Sequence, residues 1–233
     1  MDVKGTAGIA YVVSPSSKVA FPDKRLVVNF VPRGECTNRC VFCAPNIDAI
    51  QQFAQGRAIL EREPSVGEMV GAVSEAYEEH PDCSEIIVTG TIGEPLIYLD
   101  KLLQFMPEVK TRTSLPVRLN TNGHATIIRP EYSAQEVCQM LESAGLDSVA
   151  VSLNAITERN YDFLCRPKQP SSFVSALDFI RESSQVGIET FVSFVDYFDA
   201  HPDLPRLDRG RIAVFCGTLG LSENQIVYRP LIE

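Results

Sequence analysis

Short apolar runs that each close on a polar or glycine-bearing turn, with a helix-like segment between one run and the next, limit this chain to an α/β fold. The first is Leu26-Val27-Val28-Asn29-Phe30-Val31, nearly unbroken in apolar residues and bounded by Pro32 and Gly34. Such a run suits a central strand buried on both faces, as in a parallel sheet. Five more follow: Glu85–Gly90, Pro116–Asn120, Asp147–Leu153, Ile188–Val195 and Gln225–Tyr228. Between them lie helical segments with recognisable ends. Ser65 and Ser133 are N-cap residues with Glu68 and Glu136 at the capping-box position. Gly145, Gly187 and Gly220 follow the ends of three helices, as C-terminal stops do. Helices are also expected near Asp100–Val109, Ser172–Gln185 and Arg211–Leu219. Alternation of this kind builds parallel βαβ units, and six are fewer than the eight of a closed barrel. The pattern predicts a single-domain, open partial (β/α)6 TIM-like barrel with a parallel sheet. Residues 25–233 form its core, and residues 1–24 are an N-terminal extension in which Ile9–Val13 is a short strand or a cover piece.

In parallel α/β folds, active sites are built at the C-terminal ends of the strands. The first strand runs there into Cys36-Thr37-Asn38-Arg39-Cys40-Val41-Phe42-Cys43, three cysteines spaced C-x3-C-x2-C. Soft thiolates at this density suit zinc or an iron–sulfur cluster. A structural zinc site takes four protein ligands and an ordinary [4Fe–4S] cluster takes four cysteines. No fourth Cys or His lies close by: the next cysteine is Cys83, and the histidines are His80, His124 and His201. A cluster held by three cysteines leaves one iron open for a small molecule, and the flat ring of Phe42 beside it suits a nucleotide-containing ligand.

Composition narrows the classes further. The seven cysteines are odd in number and three are crowded together, which points to metal or redox chemistry in a reducing compartment, not to a disulfide framework. Cys83, Cys138, Cys165 and Cys216 stand singly and read as buried structural thiols. A net charge of −9 disfavours a nucleic-acid partner bound through its phosphates. No run approaches the ~18–20 apolar residues of a membrane span, and Ile9–Val13 is too brief for a signal peptide. The expected location is the cytoplasm.

The motif C-x3-C-x-aromatic-C just after an apolar strand resembles the signature of the radical SAM superfamily. That resemblance implies a [4Fe–4S] cluster on Cys36, Cys40 and Cys43, with S-adenosylmethionine (SAM) chelating the open iron. One electron from the reduced cluster then breaks a C–S bond of SAM, and the 5′-deoxyadenosyl radical abstracts hydrogen from a substrate. Gly93-Glu94-Pro95 resembles the Gly-Gly-Glu-Pro motif that holds the SAM amino group, with Ile92 in place of its first glycine. Asn120 heads a pocket-lining stretch. Ser152 and Asn154 are implied contacts to the ribose or carboxylate, and Arg166 is a carboxylate or phosphate partner. The fifth strand lacks the usual adenine motif, so Phe42 and the backbone near Tyr228 and Arg229 are assigned that role. No catalytic residue beyond the cluster ligands is implied. Longer strings, Arg118 to Ala125, Val151 to Ala155 and Tyr161 to Pro167, resemble the TatD-linked radical SAM proteins. This implies a reductant such as flavodoxin or ferredoxin and a functional link to a TatD-type hydrolase. Two other readings fit the same residues: an activase that takes hydrogen from a glycine of a partner protein, and a non-catalytic zinc-binding module.

Overall fold

The computed structural model describes residues 8–15, 22–32, 34–43, 60, 62–196 and 206–230. Its seven strands lie side by side in chain order: β1 (Ala10–Val13), β2 (Arg25–Asn29), β3 (Ile86–Thr89), β4 (Val117–Thr121), β5 (Ser148–Ser152), β6 (Glu189–Asp196) and β7 (Ile226–Pro230). The six strands β2 to β7 pair in parallel. The sheet curls into an open partial barrel with β1 and β7 at its edges. The seventh strand comes from the N-terminal extension: β1 pairs antiparallel with β2, Tyr11 opposite Val27. Ala10–Val13 of the extension therefore belong to the sheet, and Ile9 and Tyr11 are buried.

Helices connect the strands: α1 (Val66–Glu79), α2 (Leu99–Thr113), α3 (Ala125–Ile128), α4 (Ala134–Ser143), α5 (Glu158–Cys165), α6 (Ser172–Gln185) and α7 (Arg209–Gly217). Both expected capping boxes form, at Ser65 with Glu68 and at Ser133 with Glu136. The sequence reading did not anticipate α3 or α5. Thr157 caps the start of α5, its hydroxyl accepting from the Asn160 N–H, and the helix packs against α6. Of residues 46–62, which follow the cysteine loop, all but Leu60 and Arg62 lie outside the described residues. Among the described residues no helix is long and apolar enough to cross a membrane.

Strand alternation divides the sheet into two faces. The convex face (Leu26, Val28, Ile86, Val88, Val117, Leu119, Val149 and Val151) packs against the helices as one continuous core. The concave face is layered. At its floor Glu85 bridges Arg25 (Nη1 to Oε2, 3.0 Å) and Arg118 (Nε to Oε1, 3.0 Å), and the Arg118 guanidinium lies 4.9 Å over the Phe191 ring. Above this plug Tyr11, Val27 and Ile87 form a small apolar cluster, with Cys43 and Ile92 packed on it. Burial on both faces runs along β2 and β3 and returns at Val192–Val195 of β6. Farther along the sheet β4 alternates, with Arg118 and Asn120 half-buried on the concave side. The concave face is therefore closed below and lined with polar groups above.

Candidate functional site

The cysteine loop leaves β2 and crosses the mouth of the half-barrel. On the β3 side it is held by the Glu94 N–H, which donates to the Glu35 carbonyl (2.7 Å), and by the Tyr98 hydroxyl, which donates to the Glu35 carboxylate (2.7 Å). On the far side it runs beside the end of α5. Arg39 N donates to Cys165 O (2.9 Å) and Val41 N to Leu164 O (2.8 Å). Lys168 fastens the first cysteine, its Nζ donating to Cys36 O (2.7 Å) and its N–H to Thr37 O (2.9 Å). Neither β2 nor α5 alone could fix this loop; its shape depends on the β3 turn and the end of α5 both being in place.

All three thiols are free and half-buried. Burial pushes Cys36 up to about 12, helped by the nearby Glu94 charge, and Cys43 up to about 11, with Cys40 beside it. Cys40 is also driven above the ordinary thiol range, chiefly because it is hydrogen-bonded to the buried Cys165 thiol. Reactive cysteines have lowered pKa values, so these are not nucleophiles on their own account. They ionise when a metal supplies the compensating charge. Among the described residues no three His, Cys, Asp or Glu side chains converge closely enough to hold one metal ion. Two buried polar atoms near the loop, Asn38 Oδ1 and Arg229 Nε, have no hydrogen-bond partner among the described residues. Such orphans mark places where a further group belongs. The donor set and its surroundings therefore fit a three-cysteine cluster.

Behind the loop runs a polar chain that sequence reasoning did not assemble. Asn122 Nδ2 donates to Thr37 Oγ1 (2.7 Å) and lies 3.7 Å from Cys36 Sγ. The Asn38 N–H also points at Cys36 Sγ (3.4 Å). His124 is fully buried between Thr37 Oγ1, 2.8 Å from Nδ1, and the Tyr161 hydroxyl, 2.6 Å from Nε2. Asn38 Nδ2 donates to the same hydroxyl (3.3 Å). Burial lowers His124 to about 4, so its ring is neutral at physiological pH. A signal for this chain was present, because Asn122, His124 and Tyr161 all fall within the longer strings noted above.

The turn after β3 is built by exclusion of side chains. A Cβ on Gly90 would meet the Gly93 carbonyl carbon at 2.3 Å, and one on Gly93 would meet Val31 Cγ1 at 2.5 Å and Glu35 O at 2.9 Å. Glycine at 93 is thus what lets this turn approach the cysteine loop. Glu94 is 1 % exposed. Its carboxylate accepts from Thr121 Oγ1 (2.6 Å), Asn122 N (2.7 Å) and Leu96 N (2.9 Å). These donors favour the charged form, yet burial wins and raises the group to about 7. Glu94 thereby ties the β3 turn to the end of β4, and Pro95 opens a buried 3₁₀ turn, Pro95–Tyr98, behind it.

The remaining expected residues separate into two groups. Asn120, Ser152 and Arg229 share the concave face, and Arg229 Nη2 donates to Ser152 Oγ (3.3 Å). Phe42 is half-buried against the core beside the loop. Others point elsewhere. Asn154, 2 % exposed and at φ +59°, spends its side chain on Ser152 O (3.2 Å) and Val195 N (3.1 Å), joining β5 to β6. Arg166 ends α5 at φ +46° and is exposed; its carbonyl accepts from Arg39 N (3.2 Å). The Tyr228 ring lies on the helix side, near Phe194 and under the Arg209 guanidinium (4.4 Å). Alternation along β7 gives the concave face to Arg229 and denies it to the Tyr228 ring.

The family model for the radical SAM superfamily matches residues 31–203. The chain belongs to the radical SAM superfamily. Among solved structures, it is similar to methylornithine synthase (PylB), at 12% identity and a TM-score of 0.56 over 89% of this chain and 53% of that one. It is also similar to a radical SAM methyltransferase from Sphaerobacter thermophilus, at 16% identity and a TM-score of 0.54 over 88% of this chain and 66% of that one. At these identities the likeness is one of fold, and this radical SAM chain spans between about half and two thirds of those proteins' length. No curated protein matches its sequence.

Proposed function

We propose that the chain is a radical SAM enzyme of the TatD-linked kind, holding a [4Fe–4S] cluster through Cys36, Cys40 and Cys43. The observation that carries this reading is the set of three half-buried thiols, spaced C-x3-C-x2-C, in one loop braced from both the β3 turn and α5. When bound, the cluster and SAM supply one-electron cleavage to a 5′-deoxyadenosyl radical that takes hydrogen from a substrate. The chain's part is to bind, orient and exclude water. Asn38 N–H and Asn122 Nδ2 direct hydrogen bonds at Cys36 Sγ, and such bonds set a cluster's potential. The His124–Tyr161 pair holds Thr37 and Asn38 in place for this. The methionine end of SAM is assigned to the Gly93–Pro95 turn, with Glu94 as its brace, and the ribose to the concave face at Asn120 and Ser152. The floor formed by Arg25, Glu85 and Arg118 blocks water from below. Flavodoxin or ferredoxin is the proposed electron donor, a TatD-type hydrolase the functional associate and the cytoplasm the location. The strings carrying the TatD-linked resemblance include Asn122, His124 and Tyr161, the residues that brace the cysteine loop.

Iron, sulfide and SAM binding test this together. After anaerobic reconstitution the chain should hold about four irons and four sulfides and bind SAM in equilibrium dialysis. About one zinc per chain with no sulfide would refute it.

A further inference from the structure

The upper concave face carries one feature that the cluster and SAM leave unexplained. Asn29, Thr89, Asn120, Ser152, Ser193 and Arg229 occupy its positions on β2 to β7. Five are neutral hydrogen-bonding groups and one is a cation, in a chain with 30 acidic residues against 21 basic ones. Arg25 and Arg118, on the floor of the same face, share the Glu85 carboxylate. Arg229 forms no ion pair among the described residues. Its Nε is buried without a hydrogen-bond partner, and Nη2 has only the neutral Ser152 hydroxyl at 3.3 Å. Arg229 as a whole is half-buried, and its guanidinium presents the fork that a carboxylate or phosphate fills. Arg229 pairs with Val195 near the C-terminal end of β6, so it stands at the mouth of the half-barrel, the end that the cysteine loop crosses.

We propose that Arg229 is the seat of an anionic group on the substrate, a carboxylate or a phosphate, and that the substrate is a small anion. This rests on the radical SAM reading for the adjacent cluster and deepens it. It assigns Arg229 to the substrate instead of the adenine. SAM carries a carboxylate of its own, so the test separates the two sources.

Inorganic phosphate is titrated calorimetrically into the reconstituted, SAM-loaded chain and, separately, into the chain as purified. Arg229→Gln and Arg229→Lys are compared with the unaltered chain. Phosphate binding should weaken by about tenfold or more in R229Q, the loss of a charge-assisted contact. R229K keeps the charge but loses the fork and should bind phosphate with an affinity between those of the unaltered chain and R229Q, whereas a folding defect would strike both variants. SAM affinity and iron and sulfide content should stay within about twofold. Equal phosphate binding by the unaltered chain and R229Q, or none by the unaltered chain, overturns the proposal. So does a tenfold loss of SAM affinity in R229Q, which would give the anion to SAM, or a loss of iron from that variant, which would make Arg229 a counter-charge to the cluster. If the unaltered chain assembles no cluster, the radical SAM reading fails by itself, and titration of the chain as purified still decides whether Arg229 seats an anion.

Discussion

Two buried groups on either side of Asn122 should titrate against each other, and removing either should expose the other. Glu94 accepts from the Asn122 N–H, and Asn122 Oδ1 accepts from the His124 N–H. Glu94 is raised from 4.5 to about 7, and His124 is lowered from 6.5 to about 4, both by burial. Each gap is about two and a half pH units, worth roughly 3 kcal/mol at about 1.4 kcal/mol per unit. The signs are opposite. Below pH 4.5 Glu94 is protonated in both states and its contribution is complete. As pH rises toward 7 the unfolded chain ionises first, and that stability is lost. His124 contributes fully above pH 6.5 and loses its contribution as pH falls toward 4, because the unfolded ring takes a proton that the buried ring refuses. Between pH 5 and 6.5 each slope is about 1.4 kcal/mol per pH unit, and the two cancel. Glu94→Gln should therefore gain stability relative to the unaltered chain by about 2 kcal/mol between pH 5 and 6.5. A constant offset of about 1–3 kcal/mol accompanies it, because the amide turns a donor toward the Asn122 N–H. His124→Gln should show the mirror-image slope, and the double variant should be flat again. Urea midpoints of the reduced, cluster-free chain at four pH values, with unchanged m-values, measure this. Parallel profiles for E94Q and the unaltered chain would refute the reasoning.

Gly90→Ala places a methyl group 2.3 Å from the Gly93 carbonyl carbon, and should lower stability by about 3 kcal/mol in urea unfolding, at the upper end of overpacking effects. Gly71→Ala, inside α1 with open space around the new Cβ, should stabilise the chain by about 0.5–1 kcal/mol; a loss there would count against the description of α1. Tyr161→Phe strips the hydroxyl shared by His124 and Asn38, and should cost about 1–3 kcal/mol while also moving the cluster's reduction potential, a change that a purely structural role for Tyr161 would not produce. Cys40→Ala should leave the reconstituted chain without its sulfide, read by colorimetric assay; full sulfide retention would remove Cys40 from the ligand set.

Much of this molecule is legible along the chain because its signals are local. The apolar runs and the Ser65 and Ser133 capping boxes depend on residues three or four apart, and all six expected parallel strands form. The cysteine spacing and the Gly93-Glu94-Pro95 turn are equally local. The partnerships were not legible. Glu94 reads as an acceptor for a ligand's ammonium, but folding brings three protein donors onto it from Thr121, Asn122 and Leu96. Asn154 reads as a polar strand end facing a ligand, but it turns inward at φ +59° to join two strands. Tyr228 and Arg229 are neighbours in sequence and face opposite ways, and only the sheet's curvature says which side is the mouth. Helix α5 is faint in the sequence because its eight residues carry only Tyr161, Leu164 and Cys165 on the buried side, although Thr157 is a sound N-cap. The loop's braces, His124, Tyr161 and Lys168, lie 80 or more residues beyond it, and no local pattern unites them.

The central claim is that this loop holds a cluster that cleaves SAM. The most direct measurement is 5′-deoxyadenosine released after anaerobic reconstitution with iron and sulfide, reduction with dithionite and addition of SAM. The account predicts product from the unaltered chain, and none when Cys36, Cys40 or Cys43 is replaced by Ala. Undiminished product from any of those three variants, or a reconstituted chain carrying zinc and failing to bind SAM, would contradict it.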